Sequence, residues 1–579
     1  MTNKPAYDEY IRRMNESQKV NIELGRAVHY HKSGQLRKAE DIYLRILQTN
    51  PTHTNALHLL GLVAQQLGDD AKALHLLQKA IENDPNNPTY HHDLGKVLQA
   101  EGKTNEAILH FRKAVQLEPD PGIEVEAALC LPVICESSNA IRHHRERIFE
   151  QLEHLRKRRL VLEDPYKEVG STSFHLAYHG LNNRELHEKI ASFYIRSCAD
   201  LAWSPSDRDR QKNKGDKIKI GIISNFLYNH TIGNLARGII EHLNRKKFYV
   251  EVFHIQTKED HVSQAIDGSA DQMVILPTEL REARHMVAEH SLDILLYLDI
   301  GMDPLTYFLA FSRLAPVQCV TWGHPDTTGI PNMDYFISSD FAEPPDAEAH
   351  YSERLIRLRR FIMYFQPPKI PDEAPSREEF GLPKDCNLYF CPQNLFKLHP
   401  EFDSILGQIL RCDPRGLLVV SEGLHKHWAE LLLDRFRHSF PEAVDRVRLI
   451  PRVPQTEFLS LLRIADTILD TPHFTGGYTS LLCFSCGIPV VTWPGRFMRG
   501  RLTLAFYQQI GIMDCVAGNA ESYVNIALRL AKDRSWREEI KSKMRARAKA
   551  LYEDIEAVCE LERFFEWAVE GQHESKFVS

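Results

Sequence analysis

Helical repeats followed by two doubly wound, Rossmann-like α/β lobes are the fold class that the sequence predicts. Three observations predict it. Gly34, Gly68 and Gly102 recur at a fixed 34-residue interval, as do Ala39, Ala73 and Ala107, and Pro51, Pro85 and Pro119. From Lys217 onward, short strand-like apolar runs alternate with helical spacing, the pattern of a parallel sheet covered by helices. That alternation breaks at the proline-rich stretch Pro367–Pro375 and restarts at Leu388, so the sheet pattern occurs twice.

A 34-residue period with Gly, then Ala, then a closing Pro is the signature of the tetratricopeptide helix–turn–helix repeat. The units carry Ala27, Gly34, Ala39, Tyr43 and Pro51; Gly61, Gly68, Ala73, Leu77 and Pro85; and Gly95, Gly102, Ala107, Phe111 and Pro119. Small residues at Ala27, Gly61 and Gly95 let paired helices approach. The glycines at 34, 68 and 102 sit in turns that need a positive φ, and each proline ends the second helix of its unit. Such arrays stack into concave surfaces that grip polypeptides, so residues 1–121 imply a protein partner or substrate and a route to self-association.

Residues 122–213 read as a helical connector. Glu124–Cys135 is apolar, His143–Leu162 is charged with helical spacing, and Ser204–Gly215 is a polar linker. Residues 214–370 form the first lobe, with strands expected at Lys217–Ser224, Tyr249–Ile255, Met273–Leu276, Asp293–Leu298, Val317–Trp322 and Tyr335–Ser338. Residues 371–579 form the second. Its strands are expected at Leu388–Cys391, Leu417–Ser421, Val447–Ile450, Thr467–Leu469 and Pro489–Trp493, before a helical end over Ala520–Gly571. Ligands of such sheets bind at the carboxyl ends of the strands.

Bulk composition excludes several classes. A net charge of −7 over 579 residues gives no support for nucleic-acid binding as the main business. No apolar run approaches the roughly 20 residues of a membrane span, and the polar start Met1–Pro5 lacks a signal-peptide core. The 11 scattered cysteines suit reduced thiols in a cytoplasmic protein, with Cys483 and Cys486 packed in a helix.

Four segments following expected strands hold the candidate chemistry. His230, in Asn225–Leu235, stands between a strand end and a helix start, where an imidazole orients or deprotonates a hydroxyl or simply caps the helix. Trp322–Tyr335 is dense in Gly, Pro, Thr and Asp, and reads equally as a ligand loop and as a tight structural loop. Lys397, in Cys391–Lys397, either neutralises a leaving phosphate or is a solvated surface lysine. Asp470–Ser480 carries Gly476-Gly477 before an apolar helix, the arrangement of a phosphate-binding helix N-terminus or of a closely packed turn. Asp207-Arg208-Asp209 has the D-x-D form of metal-dependent sugar transferases but falls in the linker, and no other cluster has metal-ligand spacing.

Together these segments resemble the tetratricopeptide-linked O-GlcNAc transferase family, most closely its SPINDLY-like branch. The most specific stretch runs from Arg313-Leu314-Ala315-Pro316-Val317-Gln318 through Gly323-His324-Pro325-Asp326-Thr327-Thr328-Gly329 to Asp334-Tyr335; Ala349–Leu355 and Leu469-Asp470-Thr471-Pro472 also match. The resemblance implies a GT-B fold and metal-independent, inverting transfer of a sugar from a nucleotide donor to Ser or Thr of proteins. It implies catalytic roles for His230 and Lys397, donor contacts from Asn394, Val453 and the phosphate loop Gly476, Gly477, Tyr478 and Thr479, and no metal or other cofactor. UDP-GlcNAc is the expected co-substrate. The animal enzymes have G-H-T-T where this chain has Gly476–Thr479, and a histidine in place of Asp293. Plant SPINDLY-like enzymes use GDP-fucose, and a bacterial branch uses UDP-glucose on Asn; both, and a non-catalytic repeat scaffold, are the alternatives.

Overall fold

The computed structural model describes residues 4–205, 216–255, 258–372, 375–423 and 425–571. Asp207-Arg208-Asp209 therefore lies outside the described residues. The described chain forms two compact units, Met1–Val133 and Ile134–Ser579.

The first unit is seven helices: α1 (Lys4–Lys32), α2 (Leu36–Thr49), α3 (Thr54–Gln66), α4 (Asp70–Asn83), α5 (Pro88–Ala100), α6 (Thr104–Leu117) and α7 (Pro121–Leu129). The turns between paired helices place Gly34, Gly68 and Gly102 at φ of 74°, 81° and 83°, the left-handed region that glycine enters without strain. The other small positions act by close approach. A Cβ on Gly61 would fall 3.0 Å from Leu77 Cγ, and one on Gly95 only 2.6 Å from the Phe111 ring. Asp120 caps α7 by accepting the Ile123 amide at 3.0 Å. Ile123 and Ala127 then join Leu94, Phe111 and Ala114 in one core, so α7 closes the repeat stack.

The second unit opens with α8 (Ser138–Arg158), α9 (Pro165–Glu168), a tight turn at Phe174–Tyr178, and α10 (Arg184–Ser197). A seven-stranded sheet follows: β1 (Ile218–Ser224), β2 (Phe248–His254), β3 (Gln272–Ile275), β4 (Ile294–Tyr297), β5 (Val317–Thr321), β6 (Tyr335–Ser339) and β7 (Arg354–Leu358). Their order is β3-β2-β1-β4-β5-β6-β7, with every pairing parallel. Helices α11 (Thr231–His242), α12 (His261–Ser269), α13 (Leu280–Glu289) and α14 (Pro304–Leu309) connect the strands. A second parallel sheet has the order β10-β9-β8-β11-β12, from β8 (Asn387–Cys391), β9 (Gly416–Ser421), β10 (Val447–Ile450), β11 (Thr467–Leu469) and β12 (Val490–Val491). Its helices are α15 (Pro400–Cys412), α16 (Lys426–Ser439), α17 (Gln455–Ile464) and α18 (Tyr478–Ser485), before α19 (Leu502–Ile510), α20 (Ala520–Lys532), α21 (Arg534–Arg547) and α22 (Ile555–Val569). This is the expected pair of Rossmann-like lobes. The reading of the sequence missed β7, whose Arg354 and Arg357 interrupt the apolar run as an edge strand's side chains do.

The last helix returns to the first lobe. Phe565 of α22 meets Phe248 edge-on, at 6.2 Å between ring centres. Glu562 accepts the Asn244 amide at 2.6 Å, and Glu560 the Arg360 amide at 2.8 Å. All 11 cysteines are free thiols, Cys483 buried within α18. Among the described residues, no helix is long and apolar enough to cross a membrane.

The repeat geometry sets opposite signs for two substitutions of the same kind. Gly→Ala inside a helix adds up to about 1 kcal/mol of stability where there is room, and overpacking costs about 1–3 kcal/mol where there is none. Gly25, with nothing within 4 Å of an added Cβ, tests the first case and Gly95 the second. Gly25→Ala is expected to raise the midpoint of a far-UV circular dichroism melt and Gly95→Ala to lower it.

Candidate active site between the lobes

The carboxyl ends of the strands carry the site. At the end of β1 the chain turns through Phe226 and Tyr228 to His230, the residue before α11. His230 Nδ1 accepts the Ile232 amide at 3.3 Å, satisfying one of the unpaired amides of the helix start. Its ring stacks on Phe226, 4.6 Å away and inclined by 29°. Burial, with a smaller contribution from Lys258, lowers the imidazole to about 4, so it is neutral at pH 7. With Nδ1 occupied as an acceptor, the network assigns the ring proton to Nε2, which makes that atom a donor.

In the second lobe β8 runs into a turn at Leu395–Lys397. The Lys397 ammonium donates to Gln393 Oε1 at 3.1 Å and to the Thr475 carbonyl at 3.4 Å, and stands 4.6 Å from the centre of the Phe474 ring. Burial lowers it to about 8, while Asp470 and Cys391 oppose the shift. Asp470, at the end of β11, shapes the loop that Lys397 touches. One oxygen accepts the Gly476 amide at 2.7 Å and the other the Thr492 hydroxyl at 2.9 Å. Burial raises this carboxyl to about 6. A Cβ on Gly476 would fall 2.6 Å from Gln393 Nε2, so glycine is what lets the loop lie beside Gln393 and Lys397.

Gly477 precedes α18, which starts at Tyr478 without a side-chain cap. The amides of its first turn, and with them the positive end of the helix dipole, open beside Lys397. The Tyr478 hydroxyl accepts a hydrogen bond from Gln455 at 3.3 Å, and its ring meets Phe365 edge-on at 5.8 Å. Thr479 is half-buried in the first turn. Asn394 is exposed at the start of the Lys397 turn, and Val453 is half-buried in the loop after β10, along the same carboxyl edge.

The two lobes meet on the dipeptide after β5. A Cβ on Gly323 would fall 2.7 Å from Ile232 of α11, and one on Gly477 would fall 3.6 Å from the Trp322 ring. The starts of α11 and α18 thus flank Trp322-Gly323 from opposite lobes. The rest of Trp322–Tyr335, which composition left open, is largely structural. His324 is buried and stacks on Phe174 at 5.2 Å. Thr327 donates to Glu353 at 2.7 Å, and the Thr328 amide donates to the same carboxylate at 2.7 Å.

Asp326 is the centre of a buried network. It pairs with Arg499 at 3.1 Å, accepts from the Asn183 amide at 2.5 Å, and lies 3.5 Å from His187. Asn183 accepts from Arg145 at 2.6 Å, and Arg499 also donates to the Leu181 carbonyl. Against the effect of burial, Arg499 and His187 hold the Asp326 carboxyl well below the usual range.

Reading the sequence missed two further groups. At the end of β4, the buried Asp299 accepts from Ser224 at 2.8 Å and is raised to about 8 by burial, so it is protonated at neutral pH; beside it, Asp303 accepts from Asn225 at 2.8 Å. His399, Glu401 and His473 form a second group. Isolated acidic residues in apolar runs, and a trio split by 72 residues of sequence, carry no spacing signal.

The fold and this site define a class in which helical repeats precede a two-lobed GT-B module. Within that class, the chain belongs to glycosyl transferase family 41, whose model matches residues 175–365 and 369–560. A model of anaphase-promoting complex, cyclosome, subunit 3 matches residues 32–114, within the repeats. Among curated proteins, the chain is 26% identical over 339 residues to the probable UDP-N-acetylglucosamine–peptide N-acetylglucosaminyltransferase SPINDLY of Arabidopsis thaliana, an alignment covering 56% of this chain and 36% of that protein. It is 24% identical over 341 residues to the similarly described SEC of the same plant, covering 57% and 34%. The chain therefore spans about a third of the length of these relatives. An O-GlcNAc transferase mutant of Thermobaculum terrenum shares the fold, with a TM-score of 0.71 and 24% identity over 99% of this chain and 100% of that one.

Removing one partner of a buried ion pair costs about 3–5 kcal/mol, because the other charge stays buried and unpaired. Asp326→Asn is expected to destabilise the chain by about that amount in urea denaturation followed by tryptophan fluorescence. An unchanged midpoint would show that Arg499 does not depend on this carboxylate.

Proposed function

We propose that this chain is a protein O-glycosyltransferase, moving GlcNAc from UDP-GlcNAc to Ser or Thr hydroxyls of polypeptides. The observation that carries the reading is the Lys397 ammonium, held by Gln393 and the Thr475 carbonyl beside the uncapped start of α18. That pairing of a half-buried cation with free helix-terminal amides suits a diphosphate leaving group. The names of the plant relatives supply the donor and the peptide acceptor.

In the proposed reaction the acceptor oxygen attacks the anomeric carbon in line with the departing diphosphate. The new bond forms as the old C–O bond breaks, which inverts the centre, and the hydroxyl proton leaves on an oxygen of the departing diphosphate. Lys397 and the amides of Gly477, Tyr478 and Thr479 take up the charge that develops on the diphosphate, so the chemical step asks for no metal. Asn394 and Val453 line the same edge for the nucleotide. His230 is neutral with its proton on Nε2, so it donates a hydrogen bond that positions an oxygen rather than removing a proton. The repeat unit holds the acceptor polypeptide.

Incubating the chain with UDP-GlcNAc, UDP-glucose and GDP-fucose, with peptide acceptors, tests the reading through nucleotide release and peptide mass. Release with UDP-GlcNAc and a matching gain of mass on Ser or Thr is expected; turnover with another donor alone would change the assigned sugar, and none with any donor would favour a scaffold. Lys397→Ala is expected to lower kcat by about 10²–10³-fold, the cost of losing one charge-stabilising donor, with the melting temperature kept. Lys397 is cationic below about 8 and neutral above it. Hence kcat/KM, which reports the free enzyme, is expected to fall as pH rises through that value, and Lys397→Arg is expected to remove that limb.

A further inference from the structure

Three side chains that the proposed reaction leaves unused meet in the second lobe. His399 caps α15, its Nδ1 accepting the Glu401 amide at 3.2 Å. Glu401 extends from the first turn of that helix. His473 arrives from the loop after β11, its Nε2 at 2.9 Å from a Glu401 carboxylate oxygen. The two imidazole rings are 4.4 Å apart between centres, inclined by 60°. One ligand atom from each of the three residues lies within 4.8 Å of the other two. His399 is buried, His473 is half-buried and Glu401 is exposed, so the group is open to solvent on one side.

The backbone holds His473 in an uncommon state. Its φ is 67°, a region that non-glycine residues enter at a cost. The connector presses on its ring, since a Cβ on Gly180 would fall 2.8 Å from His473 Cγ and Nδ1. Strain of this kind persists where surrounding structure over-determines it, and it clusters at functional positions. Ser138 donates to the other Glu401 oxygen at 3.3 Å, which orients the carboxylate. The Arg435 guanidinium is already committed to Asp403, at 2.7 and 2.8 Å.

We propose that His399, Glu401 and His473 bind a divalent cation of the zinc class. Two imidazole nitrogens and one carboxylate oxygen form a donor set suited to zinc and its neighbours, with a fourth position left for water. Bonds of about 2.1 Å place tetrahedral ligands about 3.4 Å apart. The exposed Glu401 side chain closes that gap, and His399 gives up its cap bond if Nδ1 is the ligand. Occupancy ties the start of α15 to the loop that leads into Thr475–Thr479. It would thereby act on the phosphate loop without entering the proposed chemical step.

The test uses the full chain after chelator treatment, titrated with zinc chloride in a calorimeter and with cobalt(II) in a visible spectrometer. Wild type is expected to take up one more ion than Glu401→Gln, to show the cobalt absorption of a low-symmetry site, and to melt at a higher temperature with zinc. His473→Gly is the second variant, because glycine accepts the positive φ at no cost and the fold survives the loss of the ligand. It is expected to weaken binding at least tenfold. Equal stoichiometry and equal spectra in wild type and both variants would overturn the proposal.

Discussion

Burial of the Asp326 carboxylate between Arg499, Asn183 and His187 forces three distant segments to meet. An unpaired charge at that depth would cost about 3–5 kcal/mol, a large fraction of a typical folding stability. Arg499 must therefore reach across from the second lobe, and Asn183 and His187 from the connector. Arg145 adds a second turn of the connector by donating to Asn183. The position of Asp326, three residues past Gly323, ties this clamp to the floor of the site. Any drift of one lobe would break the same network that sets the distance between the starts of α11 and α18.

Close approach does the remaining positioning. Gly323 and Gly477 are small enough for α11 and α18 to reach Trp322-Gly323 from either side. Gly476 lets the Asp470 loop settle against Gln393. The return of α22 to the first lobe, through Phe565, Glu562 and Glu560, makes the two sheets a single compact body.

One physical effect, desolvation, sets the charges at this junction. It makes His230 a neutral hydrogen-bonding group and lowers Lys397 to about 8, which leaves it mainly cationic at neutral pH. It also leaves Asp299 protonated at the end of β4. A site so arranged holds a cation and a neutral histidine, which is why positioning and charge stabilisation carry the proposed reaction.

The repeats were legible because their information is local: a glycine that must enter positive φ, a proline that must end a helix, and a small residue facing a bulky one sixteen positions on. The lobes were legible from periodicity, save β7, where two arginines disguise an edge strand. His230, Lys397 and Gly476 could be picked out because each follows a strand, and a parallel sheet gathers such positions at one edge. Sequence alone thus determined the architecture and which loops lie at the carboxyl edges of the sheets. Tertiary structure alone decided that the Trp322–Tyr335 loop is mainly a clamp, that Lys397 is half-buried and held by Gln393 and the Thr475 carbonyl rather than freely solvated, and that His399, Glu401 and His473 meet. Burial and pairing depend on what a distant segment brings, and spacing along the chain does not encode that.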